Sequence, residues 1–134
     1  MSTGEKICFA LGLVGLCIDQ VTKQYAIYQN VATFNSGVAL GILSENNTLV
    51  GIVSIVVLLG LLLFGWFRRQ KMQIYVLVIA ATSNLIDRMR FGAVVDWLPI
   101  PGTQIVNNIA DWMLAIGLCW LLLTELQTKS RLEK

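Results

Sequence analysis

The stretch TLVGIVSIVVLLGLLLFGWF, residues 48–67, decides the fold, because it holds no charged residue. An α-helix needs about 20 mostly apolar residues to cross the roughly 30 Å of hydrocarbon in a bilayer. The whole chain has the same character: its 134 residues are 56% hydrophobic and 13% charged, with a mean hydropathy of +0.70. A soluble domain carries about 25% charged residues, so the sequence predicts a single integral membrane domain over residues 1–134.

Three further segments approach the length of a membrane span. They lie at about residues 7–28, 73–89 and 109–126, and each turns polar at one end. Together with residues 48–67 they predict an all-α membrane protein with four transmembrane helices.

Lysine and arginine residues are distributed unevenly between the links that join these segments. Lys6 precedes the first segment, residues 68–71 read RRQK between the second and third, and three more basic residues follow the fourth. The links 29–47 and 91–108 contain neither Lys nor Arg. Because cytoplasmic loops are rich in Lys and Arg, the sequence predicts cytoplasmic termini and two links on the extracytoplasmic side.

The composition also argues against several classes of function. Histidine is absent, which removes the commonest neutral metal ligand and general base. The three cysteines lie in apolar runs without C-x-x-C spacing, as small buried hydrophobes do: Cys8, Cys17 and Cys119. A formal net charge of +2 without a basic stripe predicts no nucleic-acid partner. We therefore expect no metal or cofactor, and carboxylates remain as the groups for hydrolytic chemistry.

Polar residues collect at the predicted outer ends of the helices, at one depth in the membrane. Asp87 and Asp111 lie at such ends and Asp96 in the link between them, with Arg88 and Arg90 nearby. Ionisable groups at membrane depth are costly and mark candidate functional sites. Two carboxylates a few ångströms apart cannot both ionise cheaply, so they share a proton. One then activates a water while its protonated partner polarises a carbonyl, as in aspartic proteases.

Two groups of polar residues also have purely structural interpretations. Asp19 and Lys23 are spaced i,i+4, as in an ordinary helix ion pair. Asn108 followed by Asp111 is typical of a helix N-cap with an acid in the first turn, where the helix dipole favours negative charge. The residues alone leave both the structural and the catalytic interpretation open.

Four segments, in chain order, resemble the motifs of the lipoprotein signal peptidase family, signal peptidase II. They are DQVTK at 19–23, FNSGVALG at 34–41, SNLIDRMRFGAVVDW at 83–97 and NNIADW at 107–112. Each motif is weak alone, but the four together cover most of the chain and lie on the predicted outer side.

The resemblance implies four transmembrane helices with a small extracytoplasmic β-structured region. It implies an intramembrane aspartic endopeptidase that removes the signal peptide of diacylglyceryl-modified prolipoproteins, cleaving before the lipidated cysteine. By motif match, Asp96 and Asp111 are the catalytic dyad. The positions that support the site and bind substrate are matched by Asp19, Lys23, Asn35, Asn84, Arg88 and Asn108.

The partners implied by the resemblance are the lipid-modified prolipoprotein and membrane lipids. The location it implies is the bacterial cytoplasmic (inner) membrane or an equivalent internal membrane, with the site on the extracytoplasmic side.

Departures from the family's pattern motivate an alternative. Ser83 stands where the family has Gly, and Asn107 stands where it has Phe. Leu40, near the end of the second motif, stands where the family usually has an aromatic or large apolar residue, and the first outer link is short. The alternative is a non-catalytic relative that serves as a subunit or assembly factor of a larger membrane complex. A small transporter or channel is disfavoured, because the polar groups lie near one interface and no inverted repeat is visible.

Overall fold

The structure is a computed structural model that describes residues 1–37, 47–67 and 71–133. Within these ranges the elements are α1 (Thr3–Tyr28), β1 (Thr33–Asn35), α2 (Asn47–Phe67), α3 (Lys71–Phe91), β2 (Val94–Asp96), β3 (Leu98–Pro99), β4 (Val106–Asn107) and α4 (Ile109–Leu132). The expected helical fold with small β-structured links is confirmed. Residues 38–41 of the second motif, residues 68–70 of the basic link and Lys134 lie outside the described residues.

Two of the described helices are long and apolar enough, by length and composition, to cross a membrane. The qualifying windows are Thr48–Gly65 in α2 and Ile109–Arg131 in α4. Only 6% of the α2 window is buried inside the protein, so its apolar side chains are available to lipid rather than to a core. That α1 and α3 also cross the membrane, and that both termini are cytoplasmic, stay predictions.

Helix α3 packs against each of the other three helices and forms the centre of the bundle. Ile74 and Leu77 of α3 form a buried cluster with Leu121 of α4. On the side of α1, a Cβ added at Gly12 would lie 2.6 Å from Ile79 Cδ1. A side chain at this position would displace the end of the Ile79 side chain, so the glycine favours the close approach of α1 to α3.

Capping residues set the start of two helices. The Ser2 hydroxyl accepts a hydrogen bond from the Glu5 backbone at 3.2 Å, and the Glu5 carboxylate accepts one from the Ser2 backbone at 2.9 Å. This capping box starts α1 at Thr3, ahead of the apolar segment predicted from about residue 7. The predicted N-cap of α4 is confirmed, because Asn108 Oδ1 accepts from the Asp111 backbone N–H at 2.9 Å.

The strands form two antiparallel pairs beside the polar ends of the helices. Strand β1 pairs with β2, with Thr33 opposite Asp96, and β3 pairs with β4, with Leu98 opposite Asn107. Gly92, with a φ of 72°, ends α3 in the left-handed conformation that glycine adopts without strain. The chain then turns into β2, which is buried along its length, and Asp96 is carried back over the bundle.

Candidate active site

A buried lysine joins two helices at the polar end of α1. Lys23, 2% exposed, places its Nζ 2.7 Å from Asp19 Oδ2 and 2.7 Å from Asp87 Oδ2. The same ammonium donates to Asn84 Oδ1 at 2.9 Å. The i,i+4 ion pair is therefore present, but it is buried and shared with α3. An ordinary surface pair does not describe it.

The two carboxylates around Lys23 are fully engaged by further donors. Asp19 Oδ2 accepts from the Ser83 hydroxyl at 2.7 Å, and its Oδ1 accepts from the Ala110 backbone N–H at 3.0 Å. Asp87 Oδ1 accepts from Gln20 Nε2 at 3.0 Å. We refer to the four buried side chains Asp19, Lys23, Ser83 and Asp87 as the lysine network. It connects α1, α3 and the first turn of α4.

The sequence analysis assigned no role to Gln20 and noted Ser83 only as a departure from the family's pattern. Both are polar residues within otherwise apolar helices. A polar residue within an apolar membrane helix indicates a functional or packing contact, and this signal could have identified Gln20 and Ser83 from the sequence.

Asp96 lies at the end of β2 and is 2% exposed. Its Oδ1 accepts from Asn108 Nδ2 at 2.6 Å, and its Oδ2 accepts from Asn35 Nδ2 at 3.1 Å. Burial raises the pKa of the Asp96 carboxyl, and the negative charge of Asp111 adds to this effect. The amides of Asn108 and Asn35 and the charge of Lys23 act in the opposite direction without cancelling it.

Asp111 lies in the first turn of α4, close enough to Asp96 to influence its charge. Asp111 Oδ1 accepts from Asn84 Nδ2 at 2.8 Å. One amide group connects the two aspartates, since Asn108 donates to the Asp96 carboxylate and accepts from the Asp111 backbone. We refer to Asp96 and Asp111 as the aspartate pair. Among the described residues, no Lys or Arg lies within ion-pair distance of either carboxylate.

Arg88 takes a different position from the one expected of a group that holds the aspartate pair. Its Nη2 donates to the Gly37 carbonyl at 2.9 Å, and its buried Nε has no hydrogen-bond partner within the described part of the chain. Arg88 thus holds the chain at Gly37, two residues after Asn35, which is the last residue of β1. Arg90 lies outside the cluster, 3.5 Å from the Gln24 side chain of α1.

The structure therefore brings together seven of the eight predicted site residues through direct hydrogen bonds and ion pairs, and it places Arg88 at the border of the group. Across the described ranges, no three His, Cys, Asp or Glu residues are arranged to hold a metal ion. Fold and site together define a helical membrane protein with a carboxylate-based polar site at one end of the bundle.

Comparisons with known proteins give the family. The sequence profile described as Signal peptidase (SPase) II matches residues 11–127. The lipoprotein signal peptidase of Gloeothece citriformis is 30% identical, over 92% of this chain and 91% of its own length. That of Moorella thermoacetica is 33% identical, over 84% of this chain and 90% of its own length. The chain belongs to the signal peptidase II family, a family of membrane proteases.

Two solved structures share the fold. One, described as a bacterial membrane enzyme structure by the in meso method at 2.3 Å resolution, has a TM-score of 0.79 and 27% identity over 94% of this chain and 91% of that chain. A second bacterial membrane enzyme has a TM-score of 0.72 and 26% identity, covering 90% and 93%. The resemblance seen in the sequence is confirmed. A larger membrane complex finds no support in these relatives.

Proposed function

We propose that this chain is an intramembrane aspartic endopeptidase that removes the signal peptide from diacylglyceryl-modified prolipoproteins, cleaving before the lipidated cysteine. The observation that carries the proposal is the aspartate pair, in which Asn108 contacts Asp96 at 2.6 Å and the Asp111 backbone at 2.9 Å. The substrate class follows from family membership and from relatives named lipoprotein signal peptidases.

The chemistry follows from two carboxylates that share one proton. The ionised member of the pair removes a proton from a water, and that water attacks the scissile carbonyl. The protonated member donates a hydrogen bond to the carbonyl oxygen and, when the tetrahedral intermediate collapses, a proton reaches the leaving amine. Because no Lys or Arg in the described part of the chain contacts either carboxylate directly, no ion pair there holds Asp96 or Asp111 in its ionised form.

The remaining site residues orient the pair. The amides of Asn35 and Asn108 fix both oxygens of Asp96, and Asn84 fixes one oxygen of Asp111. Lys23 fixes Asn84 in turn by donating to its carbonyl oxygen. These contacts hold the carboxylates in the geometry for attack before substrate arrives, which is a large part of catalytic rate enhancement.

The location of the site fits a lipid-borne substrate. The site lies at one end of a bundle whose outer surface is apolar, so a signal helix and acyl chains can approach laterally from the bilayer. We place this end on the extracytoplasmic side of the bacterial cytoplasmic membrane, because the links that carry Asn35 and Asp96 contain no Lys or Arg.

The test is processing of a diacylglyceryl-modified prolipoprotein by purified protein in lipid, read as a gel shift. Wild type is expected to cleave, and Asp96→Asn and Asp111→Asn are expected to be inactive. Glu133→Gln is the matched control, because its carboxylate is exposed at the end of α4. Absence of cleavage by folded wild type, or retained cleavage in either aspartate variant, contradicts the proposal.

A further inference from the structure

Ser83 is fully buried in α3, with 0% of its surface exposed, and its hydroxyl is engaged on both sides. It accepts a hydrogen bond from Gln20 Nε2 at 3.0 Å and donates one to Asp19 Oδ2 at 2.7 Å. An amide NH₂ group only donates, so the contact with Gln20 leaves the Ser83 proton for the carboxylate. The direction of the hydrogen bond to Asp19 is thereby fixed.

Asp19 also forms a hydrogen bond with α4. Its second oxygen, Oδ1, accepts from the Ala110 backbone N–H at 3.0 Å. The first N–H groups of a helix have no partner within the helix, and a side chain that accepts from them fixes the first turn. Ala110 directly precedes Asp111, so the carboxylate of Asp19 holds the backbone next to Asp111 in place.

Two consecutive residues of α3 thus hold the same turn of α4 by separate routes. Asn84 donates directly to the Asp111 carboxylate at 2.8 Å, and Ser83 acts on the Ala110 backbone through Asp19. We infer that Ser83 is a positioning residue: its hydrogen bond to Asp19 keeps the first turn of α4, and with it Asp111, in the place that peptide hydrolysis requires. The kinetic part of this inference rests on the proposed function, whereas the structural part does not.

The neighbouring residue provides a matched control. The Thr82 hydroxyl donates to the Val78 carbonyl of its own helix at 2.7 Å and makes no contact with α1 or α4 through that hydroxyl. This is the usual behaviour of a hydroxyl inside a helix. Thr82→Ala and Ser83→Ala therefore each remove a hydroxyl from adjacent positions, the first together with a methyl group, but only the second removes a link between helices.

The first measurement is hydrogen–deuterium exchange of wild type, Ser83→Ala and Thr82→Ala in lipid, with the peptide covering residues 107–113 compared with peptides of α2. Ser83→Ala is expected to exchange faster in residues 107–113 only, and Thr82→Ala to match wild type. Gln20→Leu, which removes the donor that orients Ser83, is expected to speed exchange in the same segment to a smaller extent. Unchanged exchange in both Ser83→Ala and Gln20→Leu, or an equal increase in α2, overturns the inference.

The second measurement is steady-state processing of the prolipoprotein by the same preparations. Because Ser83 is fully buried and acts on the first turn of α4 through Asp19, Ser83→Ala is expected to lower kcat about tenfold with KM within about twofold of wild type. A change in KM alone, or a kcat equal to that of Thr82→Ala, overturns the positioning role. If wild type itself does not process the substrate, the proposed function fails, and the exchange data still decide whether Ser83 holds the turn.

Discussion

The lysine network and the aspartate pair lie side by side, and each contains two carboxylates, all of them buried except the half-buried Asp111. In the lysine network, one ammonium lies 2.7 Å from a carboxylate oxygen of both Asp19 and Asp87 and is shared between them. In the aspartate pair, Asp96 and Asp111 receive neutral amide donors, and no Lys or Arg of the described residues contacts them within ion-pair distance. The same side-chain type therefore occupies two different electrostatic environments in one site.

The difference divides the site into a region suited to a structural role, the lysine network, and a region suited to a chemical role, the aspartate pair. The Lys23 ammonium attracts two carboxylates that come from different helices, and it therefore joins α1 to α3. A carboxylate held by amides keeps its orientation in either protonation state. The lysine network therefore suits the joining of helices, and the aspartate pair suits the exchange of a proton.

The sharpest test of this division compares Asp96→Asn with Asp87→Asn. Asp96→Asn is expected to reduce processing on the order of 10⁴-fold. Its new amide NH₂ faces the donor of Asn35 or Asn108, so a loss of about 1–3 kcal/mol of stability is expected as well. Asp87→Asn places an amide NH₂ against donors from Gln20 or Lys23, and it is expected to cost about 1–3 kcal/mol of stability.

Both quantities are measurable on the same preparations, by processing of the prolipoprotein and by denaturant unfolding in detergent. Processing per folded molecule should fall far less in Asp87→Asn than in Asp96→Asn. If Asp87→Asn were as inactive as Asp96→Asn and no less stable than wild type, the lysine network would have a chemical role and the division would be wrong.

Removal of the shared cation gives the largest expected loss of stability. Lys23→Met leaves Asp19 and Asp87 buried without a positive partner, and breaking a buried ion pair in this way costs about 3–5 kcal/mol. Lys129→Met is the control, since Lys129 is 76% exposed and lies 3.8 Å from Glu133, and its unfolding free energy should change by less than about 0.5 kcal/mol. Equal stability of the two variants would show that Lys23 does not hold the helices together.

The sequence was sufficient to predict the grouping of the site. Hydropathy located the helices, and the distribution of basic residues assigned their polar ends to one side, which is why Asp87 and Asp111 were expected together. Asp19 and Asn84 were expected at the same site from the motif resemblance. The N-cap role of Asn108 also followed from local sequence, because capping depends on residues three positions apart.

Contacts between helices could not be predicted in the same way. The i,i+4 spacing identified Asp19 as a partner of Lys23, but the second partner, Asp87, depends on how α1 packs on α3. The contact of Arg88 with the Gly37 carbonyl likewise depends on where β1 lies. In strands of only two or three residues, the register is set by such tertiary contacts and not by the strand's own sequence.

A smaller effect is expected when the amide that joins the aspartate pair is replaced. Asn108→Ser keeps an oxygen that can cap α4 but loses the amide donor to Asp96, and Asn108→Ala loses both. The serine variant should therefore be about 1 kcal/mol more stable than the alanine variant. Because the lost donor contacts the Asp96 carboxylate, kcat should fall on the order of 10- to 100-fold in both.

Unfolding of the two Asn108 variants in detergent, together with their kcat values, separates the cap from the contact with Asp96. Wild-type kcat in Asn108→Ser would mean that the amide contact does not orient the pair. Equal stability of the two variants would mean that Asn108 contributes little as a cap.

The smallest expected effect is a dependence of stability on pH that comes from Asp96. Burial raises the pKa of Asp96 above the usual carboxyl value of 3.8, so between that value and the raised pKa the folded protein binds more protons than the unfolded chain. By linkage, the contribution of Asp96 to stability falls as pH rises through this window, and Asp96→Asn removes that fall.

The measurement is the difference in unfolding free energy between Asp96→Asn and wild type, followed from about pH 3.5 to about pH 7.5. It should shift in favour of the variant as pH rises, and the corresponding difference for Glu133→Gln, an exposed carboxylate at the end of α4, provides the charge-matched baseline. If Asp96→Asn instead became less stable relative to wild type as pH rises, Asp96 would be a stabilised anion. The contrast between amide-held and lysine-held carboxylates would then fail, because Asp96 would behave as a carboxylate neutralised by a buried cation does.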